Sequence, residues 1–232
     1  MFFEKMSMNF KRMLLDIAAS PFFVYFPMSL KLRQFVFKKV LKLDTNDTRF
    51  GINLRIRPQH ETPEDFKKFK VNENGLVVGQ ACLFCKGVHV DTTGNVIMQD
   101  DVYMSEDVRV YTHHHIDGDK PNDKKKIVAN TLKIDNNVRL GARSIVLHSC
   151  KHIGRYATIG ASTVIRSNIP PYAIVMGNPA KVIGFTYKPE EMAEFEKNKY
   201  PEEMRTSLEM YTKLYNKLYL NRVRDISRAI ML

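Results

Sequence analysis

The stretch that decides the fold is residues 90–110, VDTTGNVIMQDDVYMSEDVRV, in which valine returns at every sixth position, at 90, 96, 102 and 108. The same register extends from Val78 to Ile165, apart from one interruption and one slip. Six is a multiple of the strand period of two but not of the helical period, so these residues share a face only in short strands. Hexapeptide periodicity is typical of a parallel β-helix, whose coils bury their apolar edges by stacking on one another.

The repeat is interrupted directly after a run of three histidines, His113 to His115. We expect residues 116–130 to form an extruded loop, because they are rich in charged and turn-forming residues. Loops on rigid scaffolds commonly carry recognition, so this loop is predicted to wall the acceptor pocket of a neighbouring subunit. Within it, Lys124 to Lys126 could meet a phosphate or an acidic sugar, or form only a solvated face.

Composition and length predict one such domain with an extension at each end. The chain has 232 residues and an ordinary hydrophobic content of 44%. We predict a basic, aromatic and largely helical segment over 1–74, a β-helix over 75–187 and a helical extension over 188–232. Three cysteines do not make a disulfide framework and are compatible with a reducing compartment, so a cytoplasmic location is expected.

The positive charge of the chain is concentrated near its beginning. The formal net charge is +11, and residues 1–43 carry eight Lys and Arg against two acids, 8 − 2 = +6. Basic residues beside aromatic ones suit the surface of an anionic bilayer, here the inner face of the membrane. An amphipathic cap on the open end of the β-helix is the other interpretation of this segment, and the two roles are compatible. Nucleic acid is not an expected partner, because no recognised binding motif accompanies the charge.

The end of the repeat resembles a known family. Residues 159–165, IGASTVI, and 168–183, NIPPYAIVMGNPAKVI, are similar to the closing signature of the hexapeptide-repeat acyltransferases, above all the maltose, galactoside, nodulation and capsule-type sugar O-acetyltransferases. The resemblance implies a mainly β fold, the left-handed parallel β-helix, assembled as a homotrimer with active sites between subunits. It also implies acetyl-CoA as cosubstrate, with no metal required.

The same resemblance assigns the catalytic residues. The family's catalytic histidine follows a Val-x-Ile/Val-Tyr-Thr strand, which here is residues 108–112, and alignment places His115 at that position. His113 is the second candidate, since strand alternation sends it to the same side as His115 and sends His114 away. A neutral imidazole can take the proton of a sugar hydroxyl as it attacks a thioester. Acetyl would pass directly to the sugar, without a covalent enzyme intermediate.

For the donor, the resemblance implies backbone contacts from Ala142 and Ala161 along the pantetheine, and contacts near the nucleotide end from Arg166, Ser167 and Lys181. The expected acceptor is a sugar hydroxyl of a surface polysaccharide or of its lipid-linked precursor. The asparagine that touches the acceptor in the galactoside branch falls at Cys85, which argues against a simple galactoside.

Two other functions fit parts of the sequence. An enzyme that acetylates a xenobiotic or the amine of a nucleotide sugar would share the scaffold and His115. A γ-class carbonic anhydrase-like zinc protein would take zinc from His89 with His113 or His115 on different coils. That class needs a second histidine five residues after the first, where this chain has Lys120.

Overall fold

The computed structural model describes residues 8–21, 29–43, 47–57, 75–117 and 126–224. Two helices come first, α1 (Met8–Ala19) and α2 (Ser29–Val40), and they pack against each other. In the described ranges, eighteen short strands follow: β1 (Arg49–Phe50), β2 (Arg55–Arg57), β3 (Leu76–Val78), β4 (Leu83–Phe84), β5 (His89–Asp91), β6 (Val96–Met98), β7 (Tyr103–Met104), β8 (Arg109–Val110), β9 (His113–Ile116), β10 (Lys126–Ala129), β11 (Leu132–Ile134), β12 (Arg139–Leu140), β13 (Ile145–Val146), β14 (His152–Ile153), β15 (Thr158–Ile159), β16 (Val164–Ile165), β17 (Ala173–Met176) and β18 (Lys181–Phe185).

The strands form a three-sided coil. Face 1 has the order β1-β4-β7-β12-β15-β17-β18, face 2 the order β2-β5-β8-β13-β16, and face 3 the order β3-β6-β11-β14. All neighbours within a face are parallel, except that β18 closes face 1 antiparallel to β17. Each turn of the chain therefore adds one strand to every face, as the six-residue period predicts.

The interior is a set of aliphatic ladders, one for each face. On face 2, Val90 lies in register with Val110, Val110 with Val146, and Val146 with Ile165. All four side chains are fully buried. Burial of each is worth roughly 1.5–3 kcal/mol, so the ladder contributes directly to the stability of the coil.

The three corners of the coil are not equivalent. Two of the corners place a residue in the left-handed backbone region in successive coils. At the corner between faces 3 and 1, Asp101 and Asn137 are examples, and at the corner between faces 1 and 2, Asp107 and Arg143 are examples. Among the described residues, none at the corner between faces 2 and 3 has a positive φ. This third corner varies in length from coil to coil, so it can accept insertions without breaking the stack.

The β-helix begins earlier than the predicted residue 75. Strand β1 pairs with β4 on face 1, and β2 pairs with β5 on face 2, so residues 49–57 already belong to the coil. Helices α1 and α2 pack against these two strands, where Phe37 of α2 stacks on Phe50 of β1 with ring centroids 5.0 Å apart. The hairpin of helices thus covers this end of the coil, as a cap does.

The carboxyl-terminal extension is helical and is anchored by one buried acid. It contains α3 (Pro189–Lys199), a short 3-10 turn (Glu202–Met204) and α4 (Leu208–Tyr215), which continues as a π-helical turn over 216–220. The Glu196 carboxylate of α3 is fully buried and accepts hydrogen bonds from the hydroxyls of Tyr172 and Tyr211 and from the Thr206 amide. It therefore ties both helices to the last coil.

Candidate active site

The histidine run lies at the third corner, where an antiparallel ribbon leaves the coil. Strand β9 pairs with β10, with His113 opposite Ala129 and Ile116 opposite Lys126. The predicted extruded loop over 116–130 is therefore a strand in its second half, because the chain returns along β9 and satisfies its backbone hydrogen bonds there. Lys124 and Lys125 lie outside the described residues. The interruption lies at the histidine run as predicted, but it begins with the histidines and not after them, because His113 to His115 already belong to strand β9 of the ribbon.

His113 stands at the base of this ribbon and is held by Asp91 of the preceding coil. Its Nδ1 atom lies 2.7 Å from Oδ2 of Asp91, and both side chains are buried. Asp91 is the last residue of β5, so it enters the same corner one strand spacing below His113. The coil geometry alone brings these two residues together, since they are 22 positions apart in the chain.

The Asp91 carboxylate is saturated by hydrogen-bond donors. Its Oδ1 accepts from the Thr93 amide (2.9 Å) and hydroxyl (2.6 Å), and its Oδ2 accepts from the Thr112 amide (2.8 Å) and hydroxyl (2.9 Å) as well as from His113. Burial by itself would raise the pKa of Asp91, but the hydrogen bonds from His113, Thr93 and Thr112 outweigh it and hold the pKa well below its ordinary value. Asp91 is therefore an ionised, fixed acceptor.

An ionised carboxylate can only accept, so the Nδ1 atom of His113 must carry a proton. In the neutral imidazole the lone pair then belongs to Nε2, which fixes one tautomer and one ring orientation. A histidine in this state can take a proton at Nε2, and the carboxylate beside it stabilises the imidazolium that results. The pair has the arrangement of a general base and the residue that positions it.

Gly94 and Asn130 lie where the ribbon joins the coil. The Gly94 amide donates to the Thr112 hydroxyl (2.8 Å), and the Asn130 amide donates to the Thr112 carbonyl (2.8 Å). A Cβ atom on Gly94 would lie only 2.1 Å from the Asn130 carbonyl oxygen. Glycine is thus required for the two coils to approach here, and this approach keeps Thr112 and His113 at the Asp91 carboxylate.

The other two histidines have different surroundings. His115 is exposed, and its ring contacts the His113 ring edge-on with centroids 5.3 Å apart. His114 turns to the other side of the strand and stacks on His148 of the next coil, with centroids 3.8 Å apart. Strand alternation thus divides the run as expected. Burial, together with the neighbouring His114 and His113, lowers the pKa of His148.

His148 belongs to the slip in the repeat at residues 147–153. The extra residue is taken up in the third corner, where the Ser149 hydroxyl donates to the Arg166 carbonyl (2.6 Å) and the Asn168 side chain accepts from the Lys151 and His152 amides. The coil continues undisturbed, because Ile153 is buried in register with Ile134. The slip therefore reshapes the corner above the histidines and leaves the core intact.

The five residues predicted for donor binding lie on two edges of face 2. Ala142 and Ala161 are at the corner between faces 1 and 2, where the Ser162 amide donates to the Ala142 carbonyl. Arg166 and Ser167 are exposed at the third corner, two coils beyond His113. Lys181 is exposed at the start of β18. One chain thus does not gather all five into one pocket, and their roles stay predictions.

The histidines of the zinc alternative, His89, His113 and His115, lie in the described part of the chain. Over these ranges no three His, Cys, Asp or Glu side chains converge where a metal ion could bind. His89, proposed for the zinc alternative, contacts the Tyr111 ring edge-on, with centroids 6.1 Å apart.

The three-faced coil with a ribbon at one corner defines the class of protein, a hexapeptide-repeat left-handed β-helix. A hexapeptide-repeat-containing acetyltransferase from Vibrio cholerae, complexed with acetyl coenzyme A, superposes with a TM-score of 0.61 at 12% identity, over 78% of this chain and 89% of that one. A galactoside acetyltransferase in complex with coenzyme A superposes with a TM-score of 0.55 at 17% identity, over 88% and 92%. At these identities the superpositions show a shared fold.

Relatives in sequence are also acetyltransferases and acyltransferases, and with the superpositions they confirm the resemblance stated above. An acyl-[acyl-carrier-protein]–UDP-N-acetylglucosamine O-acyltransferase from Stutzerimonas stutzeri is 25% identical over 148 residues, which is 61% of this chain and 57% of the relative. The first relatives found are all acetyltransferases or acyltransferases, and this chain spans only 30% to 57% of their lengths. No model of a protein family matches the chain.

Sequence reasoning missed Asp91. The signal was present, because Asp91-Thr92-Thr93 places three polar residues directly after the core residue Val90, and all three are buried in the structure. A buried acid needs donors to satisfy it, and the corner one coil later supplies them from Thr112 and His113.

Proposed function

We propose that the protein is an acetyl-CoA-dependent acetyltransferase that acetylates a sugar hydroxyl by direct transfer. The observation that carries the proposal is the buried Asp91–His113 pair at the base of the ribbon, on a fold shared with acetyltransferases that bind coenzyme A. The geometry favours His113 as the general base, with Asp91 as the residue that positions it. The assignment of the base to His115, made from alignment, stays a competing prediction.

In the proposed reaction, Nε2 of His113 accepts the proton of the acceptor hydroxyl as its oxygen attacks the thioester carbonyl. The carbon–sulfur bond then breaks, and the imidazolium returns its proton to the departing thiolate of coenzyme A. Atoms balance without an enzyme-bound acetyl group. General-base help of this kind typically contributes about 10²- to 10⁴-fold in rate. Between the two proton transfers, the negative charge of the Asp91 carboxylate stabilises the imidazolium of His113.

We further propose that the active form is a homotrimer. The predicted donor residues lie on two different corners of one chain, so an interface that joins unlike corners of neighbouring subunits would unite them. The ribbon β9–β10 projects from the same corner as His113, with Ile116 exposed near its described end. We expect it to wall an acceptor pocket shared with the next subunit. The acceptor we favour is a sugar of a surface polysaccharide or its lipid-linked precursor.

The test is acetyl transfer by the full chain. The protein is incubated with acetyl-CoA and a panel of glycans, nucleotide sugars and antibiotics, while thiol release and product mass are followed. Ester formation on a glycan supports the proposal. Amide formation on a nucleotide sugar, or acetylation of antibiotics alone, would redirect the acceptor assignment, and absence of thiol release with every acceptor would contradict acetyl transfer.

His152 offers a matched control for the base. Its Nε2 atom lies 2.9 Å from Oδ2 of the buried Asp135, so it too is a histidine held by an aspartate, but it lies on the outside of face 3. We expect the His152→Ala variant to have the same kcat as the wild type, because an Asp–His pair away from the ribbon has no acceptor hydroxyl to deprotonate. Loss of turnover in both His113→Ala and His152→Ala would show a structural effect.

A further inference from the structure

The helical hairpin of α1 and α2 presents an apolar face on the side away from the coil. In α1, Phe10, Met13 and Ile17 are spaced by three and four residues, so they share one side of the helix. They are 40%, 45% and 43% exposed. Ala18 and Ala19 are buried in the core, and the exposed side of this helix carries the three large apolar side chains together with the acid Asp16.

The exposed side of helix α2 carries positive charge as well as apolar side chains. Arg33, Phe37 and Val40 are buried, with Arg33 donating to the Ala18 carbonyl of α1 and Phe37 stacked on Phe50 of β1, whereas Leu32 and Phe35 are 46% and 49% exposed. Phe35 is separated by three or four residues from Lys31, Lys38 and Lys39, so these lysines flank it on the outward side. Across both helices the sequence contains a single acid, Asp16.

We propose that this face docks on the surface of an anionic lipid bilayer. The exposed apolar side chains of the two helices, which are Phe10, Met13, Ile17, Leu32 and Phe35, together with the three lysines beside Phe35, are called the docking face below. Large apolar side chains next to Lys are the combination that partitions into the boundary between headgroups and acyl chains. Its positive charge matches anionic headgroups, which is the complementarity that selects a membrane over a neutral surface. None of the described helices is long and apolar enough to cross a bilayer.

Docking would hold the candidate active site roughly 20 Å from the lipid surface, since one layer of helix, about 10 Å thick, and two strand spacings of the coil lie between them. The hairpin packs on β1 and β2, and β2 is two strands from β8, after which His113 follows. Two strand spacings are roughly 10 Å along the coil axis. If acetyl transfer is also correct, the acceptor that benefits is a glycan carried on a lipid. This consequence rests on the proposed function, whereas lipid binding itself does not.

The experiment is sedimentation of the full chain with vesicles, without acetyl-CoA, so that it is independent of catalysis. We expect binding to vesicles of equimolar phosphatidylcholine and phosphatidylglycerol, little binding to phosphatidylcholine alone, and weaker binding at high salt. The double variant Lys31→Ala/Lys39→Ala should bind more weakly by about fivefold for each lysine removed. Met13→Ser/Ile17→Ser should reduce binding at least about tenfold, because both side chains leave water on docking.

Matched variants at the other end of the chain serve as controls. Met204→Ser/Met210→Ser removes two equally exposed apolar side chains, and Lys213→Ala/Lys217→Ala removes two exposed lysines. Both should bind vesicles like the wild type. The proposal is overturned if the wild type binds neutral and anionic vesicles equally, or if all four variants bind alike. It is also overturned if Met13→Ser/Ile17→Ser lowers the molecular mass in lipid-free buffer, because the face would then join copies of the chain.

Discussion

The Nδ1 atom of His113 lies 2.7 Å from the Oδ2 atom of Asp91, within a corner where Asp91 accepts four further hydrogen bonds from Thr93 and Thr112. So many donors around one carboxylate fix its position, and the carboxylate in turn fixes the imidazole. His115, two residues later on the ribbon, is exposed. Of the two candidate bases, His113 is the one whose ring is fixed by the Asp91 carboxylate.

We expect Asp91→Asn to lower kcat by about 10²-fold, because the amide neither fixes the Nδ1–H tautomer reliably nor balances the imidazolium charge. Steady-state kinetics at saturating acetyl-CoA and acceptor measures the loss. Asp135→Asn, at the second Asp–His pair, is the matched control and should leave kcat unchanged. An unchanged kcat in Asp91→Asn would contradict a positioning role for Asp91.

The stability of the protein should depend on pH through Asp91. Its pKa in the folded state is well below the ordinary value of about 3.9. At pH values above that ordinary pKa, the ionised carboxylate therefore stabilises the fold. This stabilisation is lost as the pH falls toward the folded-state pKa. The gap in free energy of unfolding between wild type and Asp91→Asn should be largest near neutral pH and should shrink below about pH 4. Denaturant titrations at several pH values measure it, and a gap that is constant with pH would contradict the ionised state of Asp91.

The fold could be predicted from the sequence because the period is a local signal repeated many times. Val90, Val96, Val102 and Val108 are all buried, as the six-residue register requires. The first coil was missed because it offers only two positions of that register, Phe50 and Ile56, which are six apart but stand alone. Two positions do not establish a period, although their burial in the structure shows that they follow it.

The candidate site could be predicted only in part. The histidines were found because they stand at the break in the repeat, and their alternation follows from strand geometry. The partner of His113 is 22 residues earlier and meets it only when coils stack, so no local pattern connects the two. The sequence predicts a loop in place of the ribbon, because β10 is a strand of only four residues that follows a run of lysines. The conformation of β10 is decided by its pairing with β9.

Gly94→Ala should destabilise the protein by about 1–3 kcal/mol and lower turnover, because the new Cβ must displace the Asn130 carbonyl at the base of the ribbon. Thermal unfolding and acetyl transfer measure the two effects. Gly184→Ala is the matched control, since its Cβ would meet no atom closer than 3.9 Å. Equal stability and equal turnover of the two variants would show that the junction of ribbon and coil tolerates a side chain at Gly94.

Glu196→Ala should loosen the carboxyl-terminal helices. Removing a fully buried carboxylate leaves the Tyr172 and Tyr211 hydroxyls and the Thr206 amide without their acceptor, at a cost of about 3 kcal/mol. The unfolding free energy should fall, and limited proteolysis should cut within residues 189–224 sooner than in the wild type. Glu194→Ala, an exposed acid on the same helix, should behave like the wild type in both measurements.

The most direct test of the central claim compares turnover of His113→Ala and His115→Ala at saturating acetyl-CoA and acceptor, with His152→Ala as the control. The Asp91–His113 arrangement predicts that His113→Ala loses about 10²- to 10⁴-fold in kcat, while His115→Ala loses less than about tenfold and His152→Ala retains full turnover. A large loss in His115→Ala, with near-normal turnover in His113→Ala, would contradict the assignment of the base to His113.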